Sequence, residues 1–208
     1  MHLFQLSDTT YLAVQQIFKE AYVNKELVNI AFIGSASTGN DENGWSKLAK
    51  NELENYYGTN LLSISIYEFD GTSTDFLNSD IPDQIIDKNP DIVFLESFRL
   101  ADNSGLVPVD IAQENLTTFI EQISTEIPEV AFIIQPPNPL ASAVNYPLEI
   151  EELKQFIESK GIPYFNHWEN WPTENSVEMT ELLNDGLPNE QGHKLWADAV
   201  INYFITQQ

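Results

Sequence analysis

Two serines separated by one residue lie in a segment of small residues that reads Gly34-Ser35-Ala36-Ser37-Thr38. In a tight turn between a strand and a helix, a serine hydroxyl becomes a nucleophile for acyl transfer when a base lies within hydrogen-bond reach. Ser35 and Ser37 are therefore candidate nucleophiles. The alternative is that both hydroxyls satisfy backbone groups of the turn.

A base for such a serine is to be sought among the histidines, because imidazole titrates near neutral pH. His167 follows the fifth predicted strand, next to several aromatic rings. His193 lies one turn inside the last predicted helix, where Asp185 is the candidate for orienting its ring. The alternative for His193 is a packed or capping residue.

Candidate substrate contacts also follow the predicted strands. Arg99 is one of only nine basic residues, and its guanidinium suits a carboxylate or an electrophilic role. Asp102 lies three residues further on, and Trp168 offers a ring on which a sugar could stack. The alternatives are a structural ion pair for Arg99, a loop-stabilising acceptor at Asp102, and core or rim packing for Trp168.

Four carboxylates gather near the predicted strand ends: Glu68, Asp70, Glu96 and Asp102. Carboxylates in proximity perform acid/base chemistry or bind a hard cation. Their spacing fits no metal motif, so we expect no metal site and no cofactor.

Composition limits the classes of partner. The 208 residues suit one domain with a sizeable core, over residues 1–208, with an N-terminal helix and lead-in at 1–27. A net charge of −23 repels nucleic acid and anionic lipid surfaces. The absence of cysteine excludes disulfides and thiolate chemistry. We therefore expect no nucleic acid and no membrane insertion; the oligomeric state stays open.

The N-terminus lacks the basic and apolar regions of a signal peptide, and no apolar run is long enough to span a bilayer. The expected location is therefore cytoplasmic, or extracytoplasmic if a leader has been trimmed.

Helices and strands alternate along the chain. Apolar periodicity predicts helices at 10–25, 45–57, 112–127, 149–159 and 190–204, and buried strands at 28–33, 61–67, 91–95, 130–134 and 162–165. Such alternation is typical of an α/β fold with a parallel sheet covered on both faces, here five strands in a flavodoxin-like α/β/α sandwich. Ligands of these sheets bind beyond the carboxyl ends of the strands, which is where the residues above lie.

From residue 30 to residue 204 the chain resembles the SGNH (GDSL-type) hydrolases. Gly34 to Thr38 is similar to the family's first motif, Gly-Asp-Ser-x-Thr, and Gly71 stands where the family has an oxyanion-hole glycine. The segment 188–193 is similar to the Pro-Asn-x-x-Gly that follows the family's catalytic histidine. The resemblance implies the SGNH fold, an ester hydrolase, and oxyanion donors at Gly71 and the serine turn. It also implies a small-molecule or carbohydrate ester as the substrate.

The sequence departs from the family where the chemistry occurs. Ala36 stands at the nucleophile position, Ala101 at the oxyanion-hole asparagine, Leu187 at the histidine and Asn184 at its aspartate. Two functions follow. One is an SGNH-type esterase or acyltransferase with a rearranged site; the other is an inactive SGNH-like domain that binds a carbohydrate or a protein in the same crevice.

Overall fold

The computed structural model describes residues 8–173 and 176–205, so the predicted lead-in at residues 1–7 lies outside the described residues. Nine helices lie within this part of the chain: α1 (Asp8–Asn24), α2 (Trp45–Tyr57), α3 (Ser73–Leu77), α4 (Ile81–Lys88), α5 (Arg99–Ser104), α6 (Val109–Glu126), α7 (Tyr146–Ser159), α8 (Val177–Thr180) and α9 (Glu190–Ile205). Two short 3₁₀ helices cover Ala36–Thr38 and His167–Asn170.

A parallel sheet forms the centre of the fold. Its strands are β1 (Val28–Gly34), β2 (Leu62–Glu68), β3 (Ile92–Glu96) and β4 (Ala131–Gln135), in the order β2-β1-β3-β4. A separate antiparallel hairpin pairs β5 (Leu183–Asn184) with β6 (Leu187–Pro188). The α/β fold predicted from the alternation of elements is confirmed.

The predicted fifth strand of the sheet is reduced to one bridge. Tyr164 pairs in parallel with Ile134, supported by backbone hydrogen bonds from Ile134 to Pro163 and from Phe165 to Ile134. Proline has no N–H to donate to a ladder, which limits a strand at this position. The sheet therefore has four full strands, one fewer than predicted.

Side chains alternate along each strand and supply two cores. On one face Ile30 and Phe32 pack with residues of α1, α2 and α9. On the other face Ala31 and Ile33 pack with residues of α3, α4, α6 and α7. This alternation follows from the period-2 geometry of a strand. Because both faces are covered, β1, β3 and β4 read as nearly continuous apolar runs, whereas Ser63 and Ser65 alternate with apolar residues in β2.

Several elements begin earlier than predicted or were not predicted. The helix predicted at 112–127 begins at Val109, and that predicted at 149–159 begins at Tyr146, each after or at a proline-containing turn. The short helices α3, α4, α5 and α8 lack a full apolar period. Side chains cap two of them, by the Thr72–Asp75 capping box of α3 and by Ser176, which accepts from the Met179 amide at the start of α8. No helix in the described ranges has the length and apolarity needed to cross a membrane.

Candidate active site at the carboxyl end of the sheet

The serine turn begins where β1 ends. Ser35 caps the 3₁₀ helix Ala36–Thr38 by accepting a hydrogen bond from the Ser37 amide. Only glycine fits at position 34, because Thr38 and Glu96 lie close to its Cα. A Cβ there would be 2.2 Å from Thr38 Oγ1 and 2.7 Å from both Glu96 Cβ and Glu96 Oε2. The turn is therefore packed directly against the end of β3.

Glu96 is the partner of both serines. Its Oε2 accepts hydrogen bonds from the Ser35 amide (2.6 Å), the Ser35 hydroxyl (2.8 Å) and the Ser37 hydroxyl (3.4 Å). Burial raises the pKa of Glu96 to about 7, against the opposing effect of the hydrogen bonds from Ser35. A carboxyl group with this pKa exchanges a proton near neutral pH, as a general base must.

In the serine turn the reactive hydroxyls are buried and the unreactive alanine is the more exposed residue. Ser35 and Ser37 are 4% and 1% exposed, whereas Ala36 between them is only half-buried. The two hydroxyls lie 3.0 Å apart on the inner side of the turn. The methyl group of Ala36 is therefore the part of the turn most open to a ligand.

His167 is fully buried and lies in a different environment from the serine pair. Its Nδ1 accepts a hydrogen bond from Trp171 Nε1 (3.0 Å), so Nε2 carries the proton and donates to the Pro136 carbonyl (3.0 Å). Burial lowers the pKa of His167 to about 3. Both ring nitrogens are thus occupied, and the structure does not bring His167 to Ser35 or Ser37 by any hydrogen bond.

His193 is half-buried against the loop that follows the serine turn. Its Nδ1 accepts a hydrogen bond from the Trp45 amide (3.3 Å), and its ring edge packs so closely on Gly39 that a Cβ there would lie 2.8 Å from Cε1. Burial lowers the pKa of His193, while the nearby charge of Asp41 acts in the opposite direction.

Asp185 does not take the predicted place beside His193. It is exposed at the tip of the β5–β6 hairpin, with a left-handed φ of +51°. The carboxylate that influences His193 is Asp41 instead. The physical reason is the hairpin itself, which turns residue 185 toward solvent before α9 begins.

Gly71 and Asp102 lie in the elements that follow β2 and β3. Gly71 precedes the cap of α3, and a Cβ there would lie 2.6 Å from the Phe69 ring. Asp102 is buried and accepts hydrogen bonds from the Ser73 amide (2.7 Å) and hydroxyl (2.9 Å). Burial raises the pKa of Asp102. Asp102 thus connects α5 to α3 through these two hydrogen bonds.

Arg99 and Trp168, the other predicted substrate contacts, also have partners within the protein. Arg99 Nε lies 3.0 Å from Glu149 Oε2, and its terminal nitrogens reach Asn103 Oδ1 and the Val107 carbonyl. Trp168 donates from Nε1 to the Pro137 carbonyl (2.7 Å). An anionic ligand would have to displace Glu149 from Arg99.

Several buried polar atoms near the strand ends have no hydrogen-bond partner within the described ranges, among them Thr38 Oγ1, Glu96 Oε1, Ser97 Oγ and Gln135 Nε2. No cluster of three or more metal-ligating His, Asp or Glu side chains occurs among residues 8–173 and 176–205.

Sequence reasoning grouped Glu96 with other strand-end carboxylates and did not pair it with the serines. The order of the strands could have indicated this pairing. Because β1 and β3 are neighbours in the parallel sheet, the residues that follow them lie side by side at its carboxyl end. Gln135, at the end of β4, accepts a hydrogen bond from Trp196 Nε1 of α9 (2.9 Å), a pairing that the sequence did not predict.

Comparisons with known proteins agree with this architecture. No family model matches the sequence, and a search of curated proteins found no significant match. Solved structures do match. A GDSL-like lipase from Bacteroides thetaiotaomicron superposes with a TM-score of 0.61 at 15% identity, covering 92% of this chain and 98% of that one. A carbohydrate esterase of family 3 from Talaromyces cellulolyticus gives 0.67 at 15% identity, over 86% and 97% of the two chains.

A two-domain esterase active on acetylated mannans matches with a TM-score of 0.69 at 17% identity, over 94% of this chain and 53% of that one. The four-stranded parallel sheet flanked by helices thus defines an α/β/α sandwich. The chain has the fold of the SGNH (GDSL-type) hydrolases, as its motifs predicted.

Proposed function

We propose that this protein is an SGNH-type ester hydrolase acting on a small or carbohydrate-linked acyl ester, with its nucleophile displaced from residue 36 to Ser35. The observation that carries the proposal is the 2.8 Å hydrogen bond between the Ser35 hydroxyl and Glu96, a carboxyl group whose pKa is raised to about 7. Among the described residues, Glu96 is the titratable side chain that accepts hydrogen bonds from both serine hydroxyls.

In this reaction Ser35 Oγ attacks the acyl carbon and its proton passes to the Glu96 carboxylate. The carbonyl oxygen becomes an oxyanion, for which the amides of Ala36 in the serine turn and of Gly71 are the candidate donors. The amides of Ser35 and Ser37 already donate to Glu96 and to Ser35. The alcohol leaves with the proton that Glu96 took from Ser35. Water then attacks the acyl-serine and gives a proton to Glu96, which returns it to Ser35 Oγ as the C–O bond breaks and the carboxylic acid leaves. Access to Ser35 requires the turn to move, since its side chain is nearly buried.

The carbohydrate-linked class of substrate is supported by the matched structures, which include a carbohydrate esterase and an esterase active on acetylated mannans. The net charge of −23 favours a neutral ester over an anionic one. An acetylated oligosaccharide satisfies both.

A second function is favoured by one specific observation, the burial of both serine hydroxyls behind the half-buried Ala36. On this reading the domain is catalytically inactive and binds a carbohydrate or a protein in the crevice. Trp168 and the proline-rich loop after β4 are its candidate contacts.

Hydrolysis of a short-chain chromogenic acetate ester and of an acetylated mannan separates the two functions. We expect Ser35→Ala and Glu96→Gln each to lower kcat/KM by at least about 10²-fold, with a smaller effect for Ser37→Ala. His193→Ala tests the other candidate base, and Glu52→Gln, on the exposed face of α2, is the matched control for charge. Turnover unchanged in Ser35→Ala and Glu96→Gln would contradict the proposed catalytic pair. No turnover, combined with binding of the mannan, would support the inactive binding domain instead.

A further inference from the structure

The carboxylate of Glu96 has one oxygen with hydrogen-bond partners and one without. Oε2 accepts the hydrogen bonds from Ser35 and Ser37. Oε1 is buried and has no hydrogen-bond partner in the described part of the chain, within which Glu96 also forms no ion pair. A buried carboxylate stays ionised only when its oxygens accept hydrogen bonds. The second oxygen of Glu96 therefore requires a donor.

A complementary side chain lies on the neighbouring strand. Gln135, at the end of β4, is the in-register partner of Glu96 on β3, and both residues are fully buried. Two residues earlier the same register pairs Phe94 with Ile133, and both of these pack in the core that contains Trp196. Because side chains alternate along a strand, Glu96 and Gln135 point to that same face, from strands about 4.8 Å apart.

Trp196 orients the side-chain amide of Gln135. An indole N–H can only donate, so the atom of Gln135 that lies 2.9 Å from Trp196 Nε1 is the acceptor Oε1. Trp196 is itself held between the rings of His167 and Trp45, at centroid distances of 4.0 Å and 4.9 Å. The other end of the amide, Nε2, is buried and has no partner among the described residues. It can donate two hydrogen bonds, and the oxygen of its in-register neighbour accepts none.

Other polar groups around Glu96 are less suited to this role. A Cβ at Gly34 would lie 2.2 Å from Thr38 Oγ1 and 2.7 Å from Glu96 Oε2, so the Thr38 hydroxyl lies on the β1 side of the carboxylate, with Oε2. Asp102 is an acid, and its charge adds to burial in raising the pKa of Glu96. Tyr146, whose own pKa is raised by burial and by the charge of Glu96, already donates its hydroxyl to a backbone carbonyl at 3.1 Å.

We propose that Gln135 is the positioning residue of the general base: its Nε2 donates to Glu96 Oε1, directly or through one buried water, and keeps Oε2 directed at the Ser35 hydroxyl. This inference rests on the function proposed above, in which Glu96 takes the proton of Ser35 Oγ. A hydrogen bond donated to the carboxylate favours its ionised form. The amide therefore lowers the pH at which Glu96 becomes able to accept that proton.

The first test follows the titration of Glu96 and does not depend on turnover. NMR of isotopically labelled glutamate carboxyl groups reports it, and the Glu96 signal is assigned by its loss in Glu96→Gln. Gln135→Met preserves the length of the side chain and removes the donor, so we expect it to raise the midpoint of Glu96 by about one pH unit. Gln155→Met is the matched control, because Gln155 donates to the exposed Glu151 at 3.1 Å on the surface of α7. The control should leave the midpoint of Glu96 unchanged, and an unchanged midpoint in Gln135→Met would overturn the proposal.

The second test needs no variant at residue 135. In the wild-type protein the NMR signal of the Gln135 side-chain amide is expected to shift with pH at the same midpoint as the Glu96 carboxyl group, because a hydrogen bond to a carboxylate is stronger than one to the neutral acid. This transition should vanish in Glu96→Gln. An amide signal that does not follow the titration of Glu96 contradicts the contact, and this measurement decides the question if Gln135→Met fails to fold.

The pH dependence of ester hydrolysis connects the contact to the reaction. With a chromogenic acetate ester, we expect Gln135→Met to lower kcat/KM about tenfold near pH 6 and by less than about twofold near pH 8.5, because the acidic limb of the profile moves up by about one pH unit. A loss of equal size at every pH would mean that Gln135 is merely structural and would refute the positioning role. Linked titrations of Glu96 and Gln135 in a protein without turnover would support the contact and reject the ester hydrolysis, so the two failures are distinguishable.

Discussion

The imidazole of His167 stacks on the indole of Trp196, with ring centroids 4.0 Å apart and planes inclined by only 6°. Trp196 in turn stacks on Trp45 at 4.9 Å, so the three rings connect the segment after the sheet to α9 and α2. Because Trp171 and Pro136 bind both imidazole nitrogens, His167 is a core residue held neutral.

We therefore expect His167→Ala to destabilise the protein by about 3 kcal/mol, the sum of a cavity beside Trp196 and two unsatisfied polar groups. Urea unfolding followed by tryptophan fluorescence measures this value. His193→Ala is the comparison, with an expected cost of about 1 kcal/mol, because that ring is half-buried and accepts one long hydrogen bond. Equal costs for the two variants would contradict the structural role of His167.

The shifted pKa values of Glu96 and His167 have opposite effects on how the free energy of unfolding changes with pH. Between its ordinary value of 4.5 and about 7, Glu96 holds a proton in the folded chain that the unfolded chain has lost, so stability falls as pH rises. Between about 3 and 6.5 the unfolded chain holds a proton at His167 that the folded chain excludes, so stability rises with pH. The two slopes oppose one another between pH 4.5 and 6.5.

Glu96→Gln removes one of these slopes and keeps the hydrogen-bond acceptor for Ser35. We expect its free energy of unfolding, relative to the wild type, to gain about 1.4 kcal/mol per pH unit as the pH rises from 4.5 toward 6.5. Denaturant unfolding at a series of pH values measures the difference. Glu52→Gln removes an exposed carboxylate and should show no such slope; a flat difference for Glu96→Gln would mean that Glu96 is ionised throughout.

Gly34→Ala tests the contact between the serine turn and β3. The new methyl group would overlap Thr38 Oγ1 and Glu96, so we expect a loss of about 2 kcal/mol or more and displacement of the turn. Gly161→Ala meets no atom within 4 Å and carries only the strain of a φ of +71°, about 1 kcal/mol. Thermal unfolding ranks the two variants, and a smaller loss for Gly34→Ala would refute the close packing.

Ala36→Ser combined with Leu187→His would restore the residue types that the SGNH family has at these positions. Ala36 is the accessible residue of the turn, and Leu187 is 41% exposed at the end of the hairpin. We expect the double variant to hydrolyse a chromogenic acetate ester at least about tenfold faster than either single variant. The control pair is Ala141→Ser with Leu187→His; no gain over it would show that residues 36 and 187 do not face each other across the crevice.

The sequence by itself determined the order of the elements and the fold class. Four buried strands, from β1 to β4, and the helices α2 and α9 were predicted close to their observed bounds because their apolar periodicity is strong. It also located the serine turn, whose Gly34 permits contact with a neighbouring strand.

Tertiary structure decided which of the polar residues meet. Ser35 is bonded by Glu96, 61 residues away, because β1 and β3 are adjacent in the sheet. The other predicted site residues lie elsewhere. The ring of His167 stacks on Trp196, Asp185 is exposed to solvent at a hairpin turn, and Arg99 forms an ion pair with Glu149. Hydrogen bonds and burial depend on long-range packing, which the local periodicity of apolar residues does not encode. The scaffold could therefore be predicted from the sequence, whereas the contacts of the side chains in the site are determined by packing.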